Sequence, residues 1–211
     1  MTDPDVLACR RPLTWVFAGD SITAGVAHTH GRRSWVEHVH ERIRFQLGRS
    51  RDILINSGIA GWTAPAVLAD VDHLICRFAP DVVSIALGMN DSMAGSAGLA
   101  GFADALAETV QAARSGSAPG VLVVLHTPNA IGSGAWNAPG DVAQYAAAVR
   151  QTAAELETLL VDHHAHWVGT FGTADPSPWL DEPVHPNAEG HLQMANLTLS
   201  VLGAGPVEGI R

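Results

Sequence analysis

Four short segments of the chain hold side chains suited to attack on a carbonyl carbon. Gly19-Asp20-Ser21-Ile22-Thr23 follows an apolar run and opens a helical pattern. A serine in that place has its hydroxyl in a crevice near backbone N–H groups of partial positive charge, a setting that suits an oxygen nucleophile. Asn56-Ser57-Gly58-Ile59-Ala60-Gly61 follows a second apolar run. There Gly58 could offer a ligand its backbone N–H, unshielded by a side chain. Gly88-Met89-Asn90-Asp91 ends a third run. The Asn90 amide is a neutral donor, able to hold an oxyanion without neutralising a nearby base. Asp181-Glu182-Pro183-Val184-His185 precedes the last helical pattern. A carboxylate three residues upstream of His185 could reach its Nδ1–H, fix the tautomer and leave Nε2 to take a serine proton.

Singly, each segment has a plain structural account. Ser21 would be a helix N-cap, Gly58 part of a β–α turn, Asn90 a turn or cap residue and His185 a surface residue. The conjunction favours chemistry: in chain order the four supply a nucleophile, further oxyanion donors, and a base with its carboxylate. The GxSxG elbow of the α/β-hydrolase fold is absent, because Thr23 stands where its second glycine would be.

The elements that must position these residues are written as alternating patterns. Short, nearly continuous apolar runs at 13–18, 53–55, 82–87, 121–126 and 159–162 read as parallel strands covered on both faces. Helical stripes lie between them, at 34–47, at 63–78, from Leu99 to Ala113, from Val142 to Leu156 and after Asn187. Five strands alternating with helices predict an α/β fold with a doubly wound parallel sheet, whose ligand site lies outside the carboxyl ends of the strands. The Gly/Pro-rich stretch 127–140 leaves a strand end and is expected to face that site. The chain of 211 residues fits one domain, 1–211, with a core over about 13–203.

Composition narrows the partners. Twelve arginines, no lysine and 21 acidic residues give a net charge of −9, which argues against nucleic acid or an anionic membrane as partner. The first twelve residues lack the apolar core of a secretory signal and no run approaches a membrane span, so a cytoplasmic location is expected. Two cysteines, Cys9 and Cys76, make no disulfide framework. Three His-x-His pairs (His28/His30, His38/His40, His164/His166) lack a carboxylate at a known ligand spacing, so no metal is expected. Without GxGxxG or a Walker loop, no nucleotide cofactor is expected either. Trp62, Trp136 and Trp179 lie near the site-bearing loops, where they would either line a pocket or simply pack.

Taken together, the four segments resemble those of the SGNH hydrolases, also called GDSL esterases and lipases. GDSIT at 19–23, NSG at 56–58, GMND at 88–91 and HPNAEGH at 185–191 match the four blocks, and the similarity spans nearly the whole chain. The resemblance implies a three-layer α/β/α, flavodoxin-like fold with a five-stranded sheet, and hydrolysis of carboxylic esters through an acyl-enzyme. It implies Ser21 as nucleophile, His185 as base, and Gly58 and Asn90 as oxyanion donors beside the Ser21 amide, with Asp20 in support. It departs at the acid: Glu182 stands where the family has Asp, one methylene shorter, and Asp181 is the alternative. Short-chain acyl esters of a polar alcohol or sugar are the expected small-molecule substrates, because loops 23–33 and 127–140 are polar. The same residues would equally serve an acyltransferase, a lysophospholipase or a thioesterase; a non-catalytic binding protein is the rival of another class.

Overall fold

The computed structural model describes residues 4–207. Strand β1, Thr14–Gly19, leads through the short helix α1, Ser21–Ala24, and a loop into α2, Trp35–Glu41. Strand β2, Ile53–Asn56, is followed by two short helices, α3 at Ala64–Ala69 and α4 at Val71–Leu74. Next come β3, Val82–Ala86, the long helix α5, Gly95–Gly116, then β4, Leu122–His126, and α6, Pro139–Glu155. Strand β5, Leu159–Val161, runs into α7, His163–Phe171, and α8 spans Ala188–Val201.

The five strands pair in parallel in the order β2-β1-β3-β4-β5. Side chains alternate across a strand, which divides the core in two. Trp15, Phe17, Leu122 and Val124 face one apolar layer with Trp35, Val39, Ile43 and Leu199, contributed by the α2 and α8 side. Val16, Ala18, Val83, Ile85, Val123 and Leu125 face the other, with Val67, Leu106, Val110, Tyr145 and Val149 of α3, α5 and α6. Both faces of the inner strands β1, β3 and β4 are covered, which is why they read as unbroken apolar runs. The fold is the expected three-layer α/β/α arrangement.

Three local differences from the sequence reading have physical causes. The stripe over 63–78 is not one helix: the chain leaves helical geometry at Asp70 (φ −122°), restarts as α4, and ends in a 3-10 turn at Cys76–Phe78. Aspartate is a poor interior helix residue, since its carboxylate competes for local backbone donors. The stripe over 34–47 begins with a capping box between Ser34 and Glu37, but its last turn, Arg42–Gln46, widens to π geometry. Helix α7 was not legible as a helix because it buries only His163 and Trp167 and so has no stripe. Its start was marked all the same, by Asp162 accepting from the Ala165 N–H at 3.0 Å.

Strand order positions the site. β1 lies between β2 and β3, so the Ser21 turn at its carboxyl end is flanked by the Asn56–Trp62 and Gly88–Asp91 loops. Among the described residues, no helix is long and apolar enough to cross a membrane.

Candidate active site

The alternative account of Ser21, as the cap of α1, is resolved by its neighbour. Asp20 is the N-cap, and its carboxylate accepts the Ile22 N–H at 2.9 Å. Ser21 is left with its hydroxyl directed to His185, Oγ to Nε2 at 2.9 Å. Burial of the Asp20 carboxyl, only partly offset by the Ile22 N–H, pushes its pKa up to about 7.

On the far side of the imidazole, Nδ1 is hydrogen-bonded to Glu182 Oε1. The same oxygen accepts the backbone N–H of His185 at 2.7 Å and of Val184 at 3.2 Å. Burial works to raise the Glu182 pKa, but the donors from His185 and Val184 outweigh it and hold the carboxylate below its ordinary value. The extra methylene of glutamate is thus absorbed by folding the side chain back over its own turn. His185 is held below its ordinary value, chiefly by burial and further by His28, against the pull of Glu182.

Asp181, the alternative acid, points elsewhere. Its carboxylate accepts from His30 Nε2 at 2.8 Å and lies 3.4 Å from His28 Nδ1, while only its backbone N–H engages His185, at the carbonyl oxygen (2.9 Å). Of the two adjacent acids, it is Glu182 whose carboxylate meets the His185 ring.

The donors converge unevenly. Asn90 gives one Nδ2–H to the Trp62 carbonyl at 3.0 Å, which aims the amide over the cleft and leaves its second hydrogen for a ligand. Asp91 braces this loop from beneath, accepting Ala64 N–H at 2.8 Å and Gly88 N–H at 3.1 Å. Gly58, expected to offer an open N–H, is differently placed. Its N–H is engaged by Asn56 Oδ1 at 3.0 Å, and a Cβ there would stand 2.6 Å from the Ala24 backbone nitrogen. It is a glycine because two loops touch at that point. Gly61, three residues on with φ +80°, is the glycine that lines the cleft beside Ser21, Asn90 and His185. The segment holds both glycines, and residue type alone does not say which of them borders the cleft. Asn56 was also missed: its Nδ2 donates to the Thr23 carbonyl at 2.8 Å and so staples the second loop to the Ser21 turn.

The cleft holds about 320 Å³ and is walled by Ala24, Val26, Ala27, His28, Ala60 and Gly61 around the reacting groups. Trp136, 57% exposed, stands with its ring centre 6.3 Å from that of His185. Trp179 instead packs against Trp167 and Phe171. A larger hollow of about 540 Å³, around Arg114 and Glu157, opens at the opposite ends of the strands and contains no nucleophile–base pair. His28, Glu182 and His185 have ligand-type atoms within 4.8 Å of one another. The two rings lie stacked, however, so their in-plane lone pairs run side by side rather than toward one point, and the arrangement suits ring packing better than a metal.

Residues 17–192 match the GDSL-like Lipase/Acylhydrolase family. An acetylxylan esterase from Geobacillus stearothermophilus is similar in fold, with a TM-score of 0.76 at 23% identity over 94% of this chain and 97% of that one. An alpha/beta hydrolase enzyme from the metagenome of Lake Arreo, Spain, is similar with a TM-score of 0.76 at 23% identity over 90% and 95%. An uncharacterized protein of Mycoplasma pneumoniae is 34% identical over 88 residues, 41% of this chain but only 10% of that protein's length. With four blocks in order on a five-stranded parallel sheet and a family match over most of its length, the chain belongs to the GDSL-like Lipase/Acylhydrolase family of carboxylic ester hydrolases.

Proposed function

We propose that the protein is a serine esterase that removes short acyl groups from a polar alcohol such as a sugar. The observation that carries the reading is the continuous relay from Ser21 Oγ through both nitrogens of His185 to Glu182, opening on a small cleft. In the forward step the Ser21 oxygen attacks the ester carbon and its proton passes to His185 Nε2. Glu182 stabilises the imidazolium so formed and keeps Nδ1 protonated throughout. The tetrahedral oxyanion is held by the Ser21 and Gly61 backbone N–H groups and the Asn90 amide. His185 then gives its proton to the departing alcohol, and a water activated by the same nitrogen releases the acid and restores Ser21.

Substrate size follows from the walls. Ala24, Ala60 and Gly61 border Ser21 and Asn90 in a cleft of about 320 Å³, room for a small acyl group and part of a sugar ring. A long chain would leave methylenes in water, each forgoing about 0.8 kcal/mol of burial. The exposed face of Trp136 beside His185 offers a platform for the flat, apolar side of a sugar ring. The fold neighbour that acts on acetylated xylan supports the same class of alcohol. The test is kcat/KM across p-nitrophenyl esters from C2 to C12, followed by acetate release from peracetylated xylose. Highest kcat/KM at C2–C4 with acetate release is expected, whereas a steady rise toward C10–C12 would assign a lipid substrate instead.

A further inference from the structure

The His185 ring does not stand alone in the site. His28, from the loop after α1, lies flat against it, with ring centres 3.8 Å apart and planes 12° from parallel. His28 is itself tethered: its Nδ1 is 3.4 Å from Asp181 Oδ2, and the other Asp181 oxygen takes His30 Nε2 at 2.8 Å. Asp181 is fixed in turn by its backbone N–H on the His185 carbonyl at 2.9 Å. Two His–carboxylate pairs are therefore stacked face to face, and only one of them touches Ser21.

We propose that His28, anchored by Asp181, is a positioning residue for the base, whose ring holds the His185 imidazole in the plane that joins Ser21 to Glu182. The proposal rests on the reading of His185 as the general base. A ring packed on one face cannot rotate about χ2 without losing that contact, so Nε2 stays within reach of the serine hydroxyl and, later, of the leaving alcohol. The stack also sets the electrostatics. The titratable groups around it are Asp181 and His30 on the tether, Glu182 beyond Nδ1, and His191 from the α8 side. His28, a ring's thickness away, lowers the proton affinity of His185 through space. The base is thereby kept neutral, and competent, to lower pH.

The test is the pH dependence of kcat and kcat/KM for p-nitrophenyl acetate with wild type, His28→Ala and His28→Phe. His28→Ala is expected to lower plateau kcat by roughly 10-fold with KM little changed, because the fault lies in orientation rather than binding. His28→Phe, which refills the stack with a flat ring, is expected to recover most of that loss. In both variants the acid limb of kcat/KM moves up by about half to one pH unit, since the lowering that His28 exerts on His185 is gone. An unchanged kcat and an unmoved acid limb in His28→Ala overturn the proposal. Equal loss in both variants with the limb unmoved also overturns it, since His28 would then serve only the fold of its loop. Labelling of wild type at Ser21 by a fluorophosphonate keeps the two readings apart: without it the serine mechanism itself fails, whatever His28 does.

Discussion

Glu182 and Asp181 are adjacent acids before one histidine, and their side chains take opposite directions. Glu182 lies under the His185 turn with three donors on one oxygen, while Asp181 serves His30 and His28. Glu182→Gln should therefore lower kcat/KM by roughly 10²–10⁴-fold, since the amide cannot stabilise the imidazolium and favours the wrong tautomer. Asp181→Asn should cost far less, acting only through the His28 tether. Steady-state kinetics of the two variants check the order, and the reverse order would move the acid to Asp181. Asn90→Ala should reduce kcat by about 10²–10³-fold with KM nearly constant, because its donor is needed most when charge reaches the carbonyl oxygen. A rise in KM alone would make Asn90 a binding residue. At this scale the sequence motifs named the residues that the fold brings together around Ser21 and His185. They did not reveal that Asn56 takes up the Gly58 N–H, nor that Asp20 rather than Ser21 caps α1. Both depend on backbone direction within a loop, which residue type alone does not encode.

The catalytic loops are held by contacts between elements rather than within them. Asn56, at the end of β2, binds the Thr23 carbonyl of α1 and the Gly58 N–H of its own loop. Gly58 fits against the α1 backbone only without a side chain. Gly58→Ala would place a methyl against the Ala24 nitrogen and force the two loops apart. The expected result is a protein that folds with a lowered Tm and a kcat reduced by about 10-fold or more, since a displacement near 1 Å at the nucleophile is enough. Thermal melts and kinetics on the same sample check this; wild-type values for both would show that the loops do not position Ser21. The inner strands β1, β3 and β4 were legible because burial on both faces leaves an apolar run no amphipathic helix would show. The fragmented helix over 63–78 and the added helix α7 were not. One keeps its stripe through a break at Asp70, and the other buries too few residues to make a stripe at all.

Across the whole molecule, an unusual amount of imidazole is sealed in the core. His126, bonded to Ser84 and His163, is pushed well below its ordinary value by burial and by His163. Burial likewise lowers His163 to about 3 and His191 to about 4. Below pH 6.5 the unfolded chain takes up three protons at these sites that the native protein refuses, so native stability falls as pH drops toward 4. Asp20 acts in the opposite sense: with a native value of about 7 it binds a proton that the unfolded chain does not take until about 3.8, and Asp91 is shifted the same way. The three buried histidines outnumber the two raised carboxyls, which leaves a net loss of native stability as pH falls from about 6 to 4. Urea midpoints at pH 7.5, 6 and 5 should drop steeply, and a flat series would contradict the buried neutral histidines. Activity below pH 6 must accordingly be read against folded fraction. The central claim is tested at neutral pH, where the fold is secure, by hydrolysis of p-nitrophenyl acetate with a Ser21→Ala variant whose native circular dichroism and melt have been verified. The account predicts a loss of roughly 10³-fold or more in kcat; turnover near that of the wild type by the folded variant would contradict it.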